Sequence, residues 1–158
     1  MQKIVPCLWF DTNGEEALNF YSSIFPNSRV TDRLLWGDAN PERKGSLLTA
    51  TFELDGQEFM ILNGGPQYKF NPAISMFVPC ETQADVDYYW DRLLEGGGEP
   101  VQCGWLTDRY GVSWQIVPDG LVQMFQDKDA AKAARAMQAM MKMVKLDIAE
   151  VRKAYDGA

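Results

Sequence analysis

The fold can be inferred from two stretches that align without a gap, EEALNFYSSIF (15–25) and ADVDYYWDRLL (84–94). Both have apolar residues at helical spacing. Farther along each half, GQEFMIL (56–62) aligns with GVSWQIV (111–117), and each of these begins at a turn glycine and continues as a strand. Because a helix and a later strand recur in the same order, the sequence predicts a repeated unit.

Working outward from these stretches gives one plan for both halves. Predicted strands of the first half are residues 4–10, 29–36, 46–54 and 57–62, around a helix at 15–25. The second half has strands at 73–78 and 112–117, a helix at 83–94, and either one short strand or a tight pair within 101–108. Thr82 and Asp85 have the spacing of a capping box before the second helix. The predicted class is α+β, with two βαβββ units (about 1–66 and 67–126) whose mixed sheets form a concave cup.

Residues 127–158 form a C-terminal extension that is helical throughout by composition. An apolar stripe at helical spacing is rich in methionine and comprises Ala133, Met137, Met140, Met141 and Val144. Asp147 and Glu150 have capping-box spacing before a last helix that ends at Gly157. Methionine fills irregular packing gaps, so we expect the stripe to pack on the sheets or on a second subunit, in preference to forming a promiscuous groove. A homodimer is the expected assembly.

Composition excludes several functional classes. The chain of 158 residues has 15 Lys and Arg against 22 Asp and Glu, a net charge of −7, which disfavours nucleic acid and membrane surfaces as partners. It has no His, which excludes Ser-His-Asp and Cys-His catalysis and removes the commonest transition-metal ligand. Three widely spaced cysteines, Cys7, Cys80 and Cys103, suit a reducing compartment. No stretch has signal-peptide or transmembrane character, so a cytoplasmic location is expected.

Five segments in order resemble a known family: CLWFD (7–11), FYSSIFPNS (20–28), LNGGP (62–66), FNPAIS (70–75) and CGWLTDRYGVSWQIVP (103–118). Together with the duplicated βαβββ plan, they are similar to the vicinal oxygen chelate superfamily of glyoxalases, bleomycin-resistance proteins and extradiol dioxygenases. Within it they resemble the PhnB-like branch, often labelled 3-demethylubiquinone-9 3-methyltransferase. The resemblance covers about residues 3–125.

The resemblance implies a metal site made by one residue from the first and one from the last strand of each unit. By strand register these positions are Val5, Met60, Ala73 and Gln115; a one-residue slip would exchange Val5 for Ile4 or Pro6. None is a carboxylate or an imidazole, so no divalent ion would find adequate ligands there. We therefore expect no metal and no other cofactor, and we expect metal-dependent isomerase or dioxygenase chemistry to be absent.

The methyltransferase label implies a site for a methyl donor, which is usually held by a glycine-rich turn between a strand and a helix. The two glycine clusters are Gly64-Gly65-Pro66, which precedes no helix, and Gly96-Gly97-Gly98, which follows one. Both are interpreted as structural.

Strand alternation predicts which side chains face the cup. The inward set is mostly apolar and comprises Cys7, Trp9, Glu58, Met60, Leu62, Ser75, Phe77, Ser113, Gln115 and Val117. Either these residues line a small-molecule pocket in which Ser75, Ser113 and Gln115 orient the ligand, or they fill the trough as core. Gln67, Tyr68 and Lys69, which follow the LNGGP segment, either form a polar rim over the cleft or are a solvated loop, and the solvated loop is preferred.

Three residues are candidates for catalysis: Glu58 as a general base, Cys103 as a nucleophile, and Gln115. Without a histidine or a second acid beside them, binding is the preferred function: a small apolar or aromatic molecule held without metal. One alternative is a metal-independent enzyme, a transferase or an isomerase, acting on a quinone-like or aromatic substrate. The other is a dimeric scaffold with no ligand.

Overall fold

The computed structural model describes residues 4–158, so the first three residues of the predicted first unit lie outside it. The elements in chain order are β1 (Cys7–Phe10), α1 (Gly14–Ile24), β2 (Arg29–Leu35), β3 (Leu47–Leu54), β4 (Gln57–Asn63), β5 (Ser75–Cys80), α2 (Gln83–Leu94), β6 (Glu99–Pro100), β7 (Trp105–Thr107), β8 (Ser113–Pro118), α3 (Leu121–Phe125), α4 (Ala130–Met141) and α5 (Ile148–Asp156). These elements form two four-stranded mixed sheets with helices, which confirms the α+β class and the repeated βαβββ order. The chain divides between Phe70 and Asn71 into two compact units, here called unit 1 and unit 2.

In unit 1 the strand order is β1-β4-β3-β2, with β1 parallel to β4 and the other pairs antiparallel. One face of this sheet packs on α1. The helix buries Ala17, Leu18, Tyr21 and Ile24, and the strands bury Leu8, Phe10, Ala50, Phe52, Phe59 and Ile61 against it. Alternate strand positions are therefore core, as the period of two requires.

In unit 2 the order is β5-β8-β7-β6, again with one parallel pair, β5 and β8. The helix α2 buries Val86, Trp90 and Leu93. The predicted capping box is confirmed: the Thr82 hydroxyl accepts from the Asp85 N–H, and the Asp85 carboxylate accepts from the Thr82 N–H. Within 101–108 there is one short strand, β7, and the strand that pairs with it, β6, lies outside that range at Glu99–Pro100.

Two predicted strand starts are wrong by two or three residues. The first strand begins at Cys7, directly after Pro6, a residue without an N–H for the ladder. The strand predicted at 73–78 begins at Ser75, because the Ala73 N–H donates to the Asn71 side chain at 2.8 Å and so belongs to a turn. It continues to Cys80.

The C-terminal extension is not helical throughout. Helix α4 ends at Met141 and α5 begins at Ile148, so Val144 lies beyond the helix that was expected to carry it. The interruption has a structural use, because the N–H groups of Cys103 and Gly104 donate to the carbonyls of Met143 and Val144, both at 2.8 Å. The Asp147 cap and the end of α5 at Gly157 are confirmed. The short helix α3 was not predicted.

The extension is part of unit 2 and is held by both apolar and polar contacts. Its residues Ala136, Leu146 and Val151 form a buried cluster with Leu121 and Met124 of α3. The Gln83 side chain, at the start of α2, donates to the Leu146 carbonyl at 3.0 Å and accepts from the Ile148 N–H at 2.9 Å. Lys145 pairs with Asp87 at 2.8 Å, and this hydrogen bond lowers the pKa of the Asp87 carboxyl. No helix in residues 4–158 has both the length and the apolar character needed to span a bilayer.

We expect Gln83→Ala to lower the free energy of unfolding by about 1–2 kcal/mol, because two backbone groups of the extension lose their partner. Hydrogen exchange should accelerate most in α5. The control is Gln138→Ala on the exposed side of α4, for which no change is expected. Equal exchange in the two variants would contradict the anchoring role of Gln83.

Candidate functional site

The sheet of unit 1 has a second face, directed away from α1, which we call open face 1. Four of the predicted ligand-binding residues lie on it in two cross-strand pairs: Cys7 is opposite Met60, and Trp9 is opposite Leu62. All four are exposed or half-buried, whereas their neighbours along both strands are buried in the core. The predicted alternation in unit 1 is therefore correct.

Trp9 is held in a fixed position on open face 1. Its Nε1–H donates to the Gly65 carbonyl at 2.9 Å, and the Tyr68 ring meets it edge-on with centroids 5.0 Å apart. Gly64 allows this approach, because a Cβ there would lie 2.3 Å from Trp9 Cζ2. Tyr68 remains 67% exposed. Both sequence interpretations of Tyr68 have support, because the side chain is largely exposed in a loop and its ring also meets Trp9 at the border of open face 1.

Glu58 lies on the same strand face as Met60, next to the hairpin turn. Its cross-strand neighbour is Glu53, which pairs with Arg29 at 2.7 Å. The hydrogen bond from Arg29 lowers the pKa of the Glu53 carboxyl. Glu58 is thus at one edge of open face 1 beside an ion pair, and its role as a base stays a prediction.

Unit 2 has an equivalent surface, open face 2, which is the sheet face directed away from α2. Register places its side chains in successive cross-strand rows. The middle row is Phe77, Gln115 and Trp105, and the next row is Ser75, Ser113 and Thr107. Gln115 Nε2 donates to Ser75 Oγ at 2.8 Å, so the two rows are connected.

Open face 2 contains all four predicted binding residues of this unit, and it adds two that were missed. Trp105 and Thr107 escaped prediction because the sequence did not decide between one strand and two within 101–108. Beyond the middle row, Val117 and Phe77 border a cleft of about 310 Å³. Its other walls are Pro118, Asp119, Gly120, Val122 and Gln123.

The metal positions carried over from the resemblance need correction. Val5 and Ala73 precede their strands, and the residues in register with Met60 and Gln115 are Cys7 and Phe77. The corrected set is a thiol, a thioether, a phenyl ring and an amide. Burial raises the pKa of the Cys7 thiol, which keeps it protonated. These residues do not fit a divalent metal. Throughout 4–158, no three His, Cys, Asp or Glu residues are grouped closely enough to hold one.

The cysteines also lack the environment of a nucleophile. Burial raises the pKa of Cys80 to about 11, so its thiolate is scarce at neutral pH. Cys103 lies in the turn before β7, outside the rows of open face 2, and its N–H binds the Met143 carbonyl. Its backbone has φ of 60°, a conformation that favours glycine. The structure therefore assigns Cys103 a backbone role in a turn.

Cys103→Gly is expected to keep the free energy of unfolding or raise it by up to about 1 kcal/mol, because glycine accepts this φ without strain. Cys103→Val should lower it by about 1–2 kcal/mol, since a β-branched side chain tolerates the conformation poorly. Urea unfolding of both variants measures the difference. If glycine were clearly the more damaging replacement, the thiol itself would be making the important contact.

Comparison with known proteins identifies the family. The sequence model of the family described as 3-demethylubiquinone-9 3-methyltransferase matches residues 2–117. No curated protein matches the chain. Among solved structures, a putative 3-demethylubiquinone-9 3-methyltransferase, PhnB protein, from Bacillus cereus is 36% identical, covering 74% of this chain and 99% of its own, with a TM-score of 0.68.

More distant structures share the fold. Protein PA1353 from Pseudomonas aeruginosa is 23% identical over 75% of this chain and 100% of its own, with a TM-score of 0.62. The fosfomycin resistance protein FosX from Mesorhizobium loti is 14% identical over 80% of this chain and 100% of its own, with a TM-score of 0.53. The fold is that of the vicinal oxygen chelate superfamily, as the resemblance implied. The chain belongs to the 3-demethylubiquinone-9 3-methyltransferase family, the PhnB-like branch of that superfamily.

Proposed function

We propose that this protein binds a small apolar or aromatic molecule without a metal, using the open faces of its sheets. One observation carries the proposal: exposed and half-buried apolar or aromatic side chains line both faces, and on open face 2 they stand beside a few neutral polar groups. On open face 1 these are Cys7, Trp9, Met60 and Leu62, and on open face 2 they are Ser75, Phe77, Ser113 and Gln115. Such a lining is typical of small-molecule sites.

Binding is favoured over catalysis because the faces offer little reactive chemistry. The Cys7 thiol is kept protonated by burial, and Gln115 is engaged with Ser75. A family name that refers to methyl transfer gives a specific alternative, a metal-independent transferase. The glycine clusters do not favour it, because Gly64 accommodates the Trp9 ring instead of a methyl donor.

A homodimer in the cytoplasm completes the proposal. Helix α4 leaves Met137 and Met141 exposed, the latter to 60%, and Val144 follows them on the surface. An apolar strip of this kind supports burial against a second copy. Cys7, Cys80 and Cys103 are free thiols, which suits a reducing compartment.

Met141→Glu places a charge in the exposed apolar strip and should prevent its burial against a second copy. In analytical ultracentrifugation we expect the variant to sediment as a monomer where the parent sediments as a dimer.

Native mass spectrometry of the untagged protein tests the binding proposal, because it measures subunit number, metal and retained organic mass together. A metal-free species with additional organic mass would support it, and Trp9→Ala and Gln115→Ala should then retain less of that mass. A stoichiometric divalent metal would contradict it. Turnover of a bound aromatic compound, lost in Gln115→Ala, would favour the enzyme instead.

A further inference from the structure

We propose that open face 2 binds a neutral aromatic molecule with a hydrogen-bonding group at one end, oriented with that group on the row Ser75, Ser113 and Thr107. The proposal rests on the proposed function and specifies its ligand class. It uses only side chains of unit 2.

The polar end is defined by Ser113. This residue is only 3% exposed, yet its hydroxyl is not among the side-chain groups of the described residues that are cut off from solvent without a partner. Ser75 and Thr107 flank it on the adjacent strands, so three hydroxyl side chains share one row. A hydroxyl at the margin of solvent gains free energy when a ligand group replaces water as its partner. A ligand hydroxyl, carbonyl or N–H placed on this row would make that hydrogen bond.

The apolar end lies in the opposite direction along β8. Gln115 comes next, between the rings of Phe77 and Trp105, followed by Val117 at the border of the 310 Å³ cleft. Two same-face steps along a strand separate Ser113 from Val117, a distance of about 13 Å. A fused aromatic ring system with one polar substituent fits that length. Phe77 is 53% exposed, so the surface becomes more open toward the apolar end.

Charge restricts the ligand further. The two rows and Val117 have no ionisable side chain on β5, β7 and β8: Ser75, Phe77, Trp105, Thr107, Ser113, Gln115 and Val117. On β6, Glu99 lies opposite Thr107 at the end of the polar row. Asp119 lies in the wall of the cleft, and the whole chain carries a net charge of −7. An anionic ligand would therefore be repelled at both ends. A cationic ligand would lose its hydration against Phe77, Trp105 and Val117, so the ligand class is neutral.

Equilibrium dialysis at pH 7 with three probes of one ring system tests this inference: naphthalene, 2-naphthol and 2-naphthoate. We expect 2-naphthol to bind about tenfold more tightly than naphthalene, the effect of one added hydrogen bond, and 2-naphthoate to bind more weakly than 2-naphthol. Ser113→Ala should remove the tenfold difference between naphthalene and 2-naphthol. Ser75→Ala, which releases Gln115, should reduce the difference. Ser28→Ala, the same atomic change in unit 1, should preserve it.

The outcomes separate the two proposals. Equal affinities for naphthalene and 2-naphthol, or a difference that persists in both Ser113→Ala and Ser75→Ala, would overturn the assignment of the polar row while binding itself stands. Tightest binding of 2-naphthoate would overturn the neutral class. Binding of none of the probes would overturn the proposed function as well. Thermal unfolding of each variant, expected to remain cooperative, shows that the fold is retained; Ser28→Ala and Ser75→Ala each lose one hydrogen bond, so a small fall in Tm is expected for them.

Discussion

Asp108→Asn is expected to lower the free energy of unfolding by about 2–4 kcal/mol, because it disrupts a buried acceptor with several donors. Asp108 is 3% exposed, and one carboxylate oxygen accepts from the N–H groups of Tyr110 and Val112 at 2.8 and 3.1 Å. The other accepts from Trp114 Nε1 at 2.9 Å. An asparagine can offer only one acceptor oxygen, so its amide nitrogen would face an N–H donor.

The effect should extend to ligand binding, because this carboxylate closes the turn between β7 and β8. Those strands carry Thr107, Ser113 and Gln115. Urea unfolding followed by tryptophan fluorescence measures the loss of stability. Asp91→Asn, at an exposed position of α2, makes the same atomic change without buried donors and should leave stability unaltered. Similar unfolding midpoints for the two variants would refute the role given to Asp108.

Gly64→Ala should displace the Trp9 indole and cost about 1–3 kcal/mol of stability, the usual range for overpacking. The added methyl would lie 2.3 Å from Trp9 Cζ2 and 2.4 Å from Cη2, too close for either atom to remain in place. Moving the ring would also break the bond from Trp9 Nε1 to the Gly65 carbonyl. Open face 1 would lose its ordered aromatic pair with Tyr68.

Gly37→Ala provides the matched comparison, since a Cβ at that position meets nothing within 4 Å. Tryptophan fluorescence and thermal unfolding should change in Gly64→Ala and stay constant in Gly37→Ala. An unchanged emission spectrum in Gly64→Ala would mean that the ring tolerates the methyl and that the prediction is wrong.

Local sequence patterns predicted the features of the fold that are determined by residues close together in the chain. Thr82 and Asp85 fixed the start of α2, and the Asp55-Gly56 turn fixed the register of β3 with β4. Strand alternation then placed every predicted binding residue on the sheet face that is directed away from the helix. The sequence could predict no more of the candidate site than this choice of face.

The errors arose where a side chain or another segment competes for the backbone groups of a predicted element. The strand that was expected at Ala73 is delayed by the Asn71 side chain, and the helical pattern through Val144 ends early because Gly104 binds its carbonyl. Trp105 and Thr107 joined open face 2 through a register that only the pairing of β7 with β8 determines. Hydrophobic periodicity carries no information about such contacts.

The attachment of the C-terminal extension has a consequence for sequence change. Unit 2 holds the segment between α4 and α5 through the carbonyls of Met143, Val144 and Leu146 and the N–H of Ile148, which are groups that almost any residue supplies. The Val144 side chain is exposed and can therefore change without detaching the segment, whereas the Met143 side chain packs against the buried cluster around Leu146. For protein engineering, position 144 is a place where a new residue can be introduced while the anchoring bonds persist.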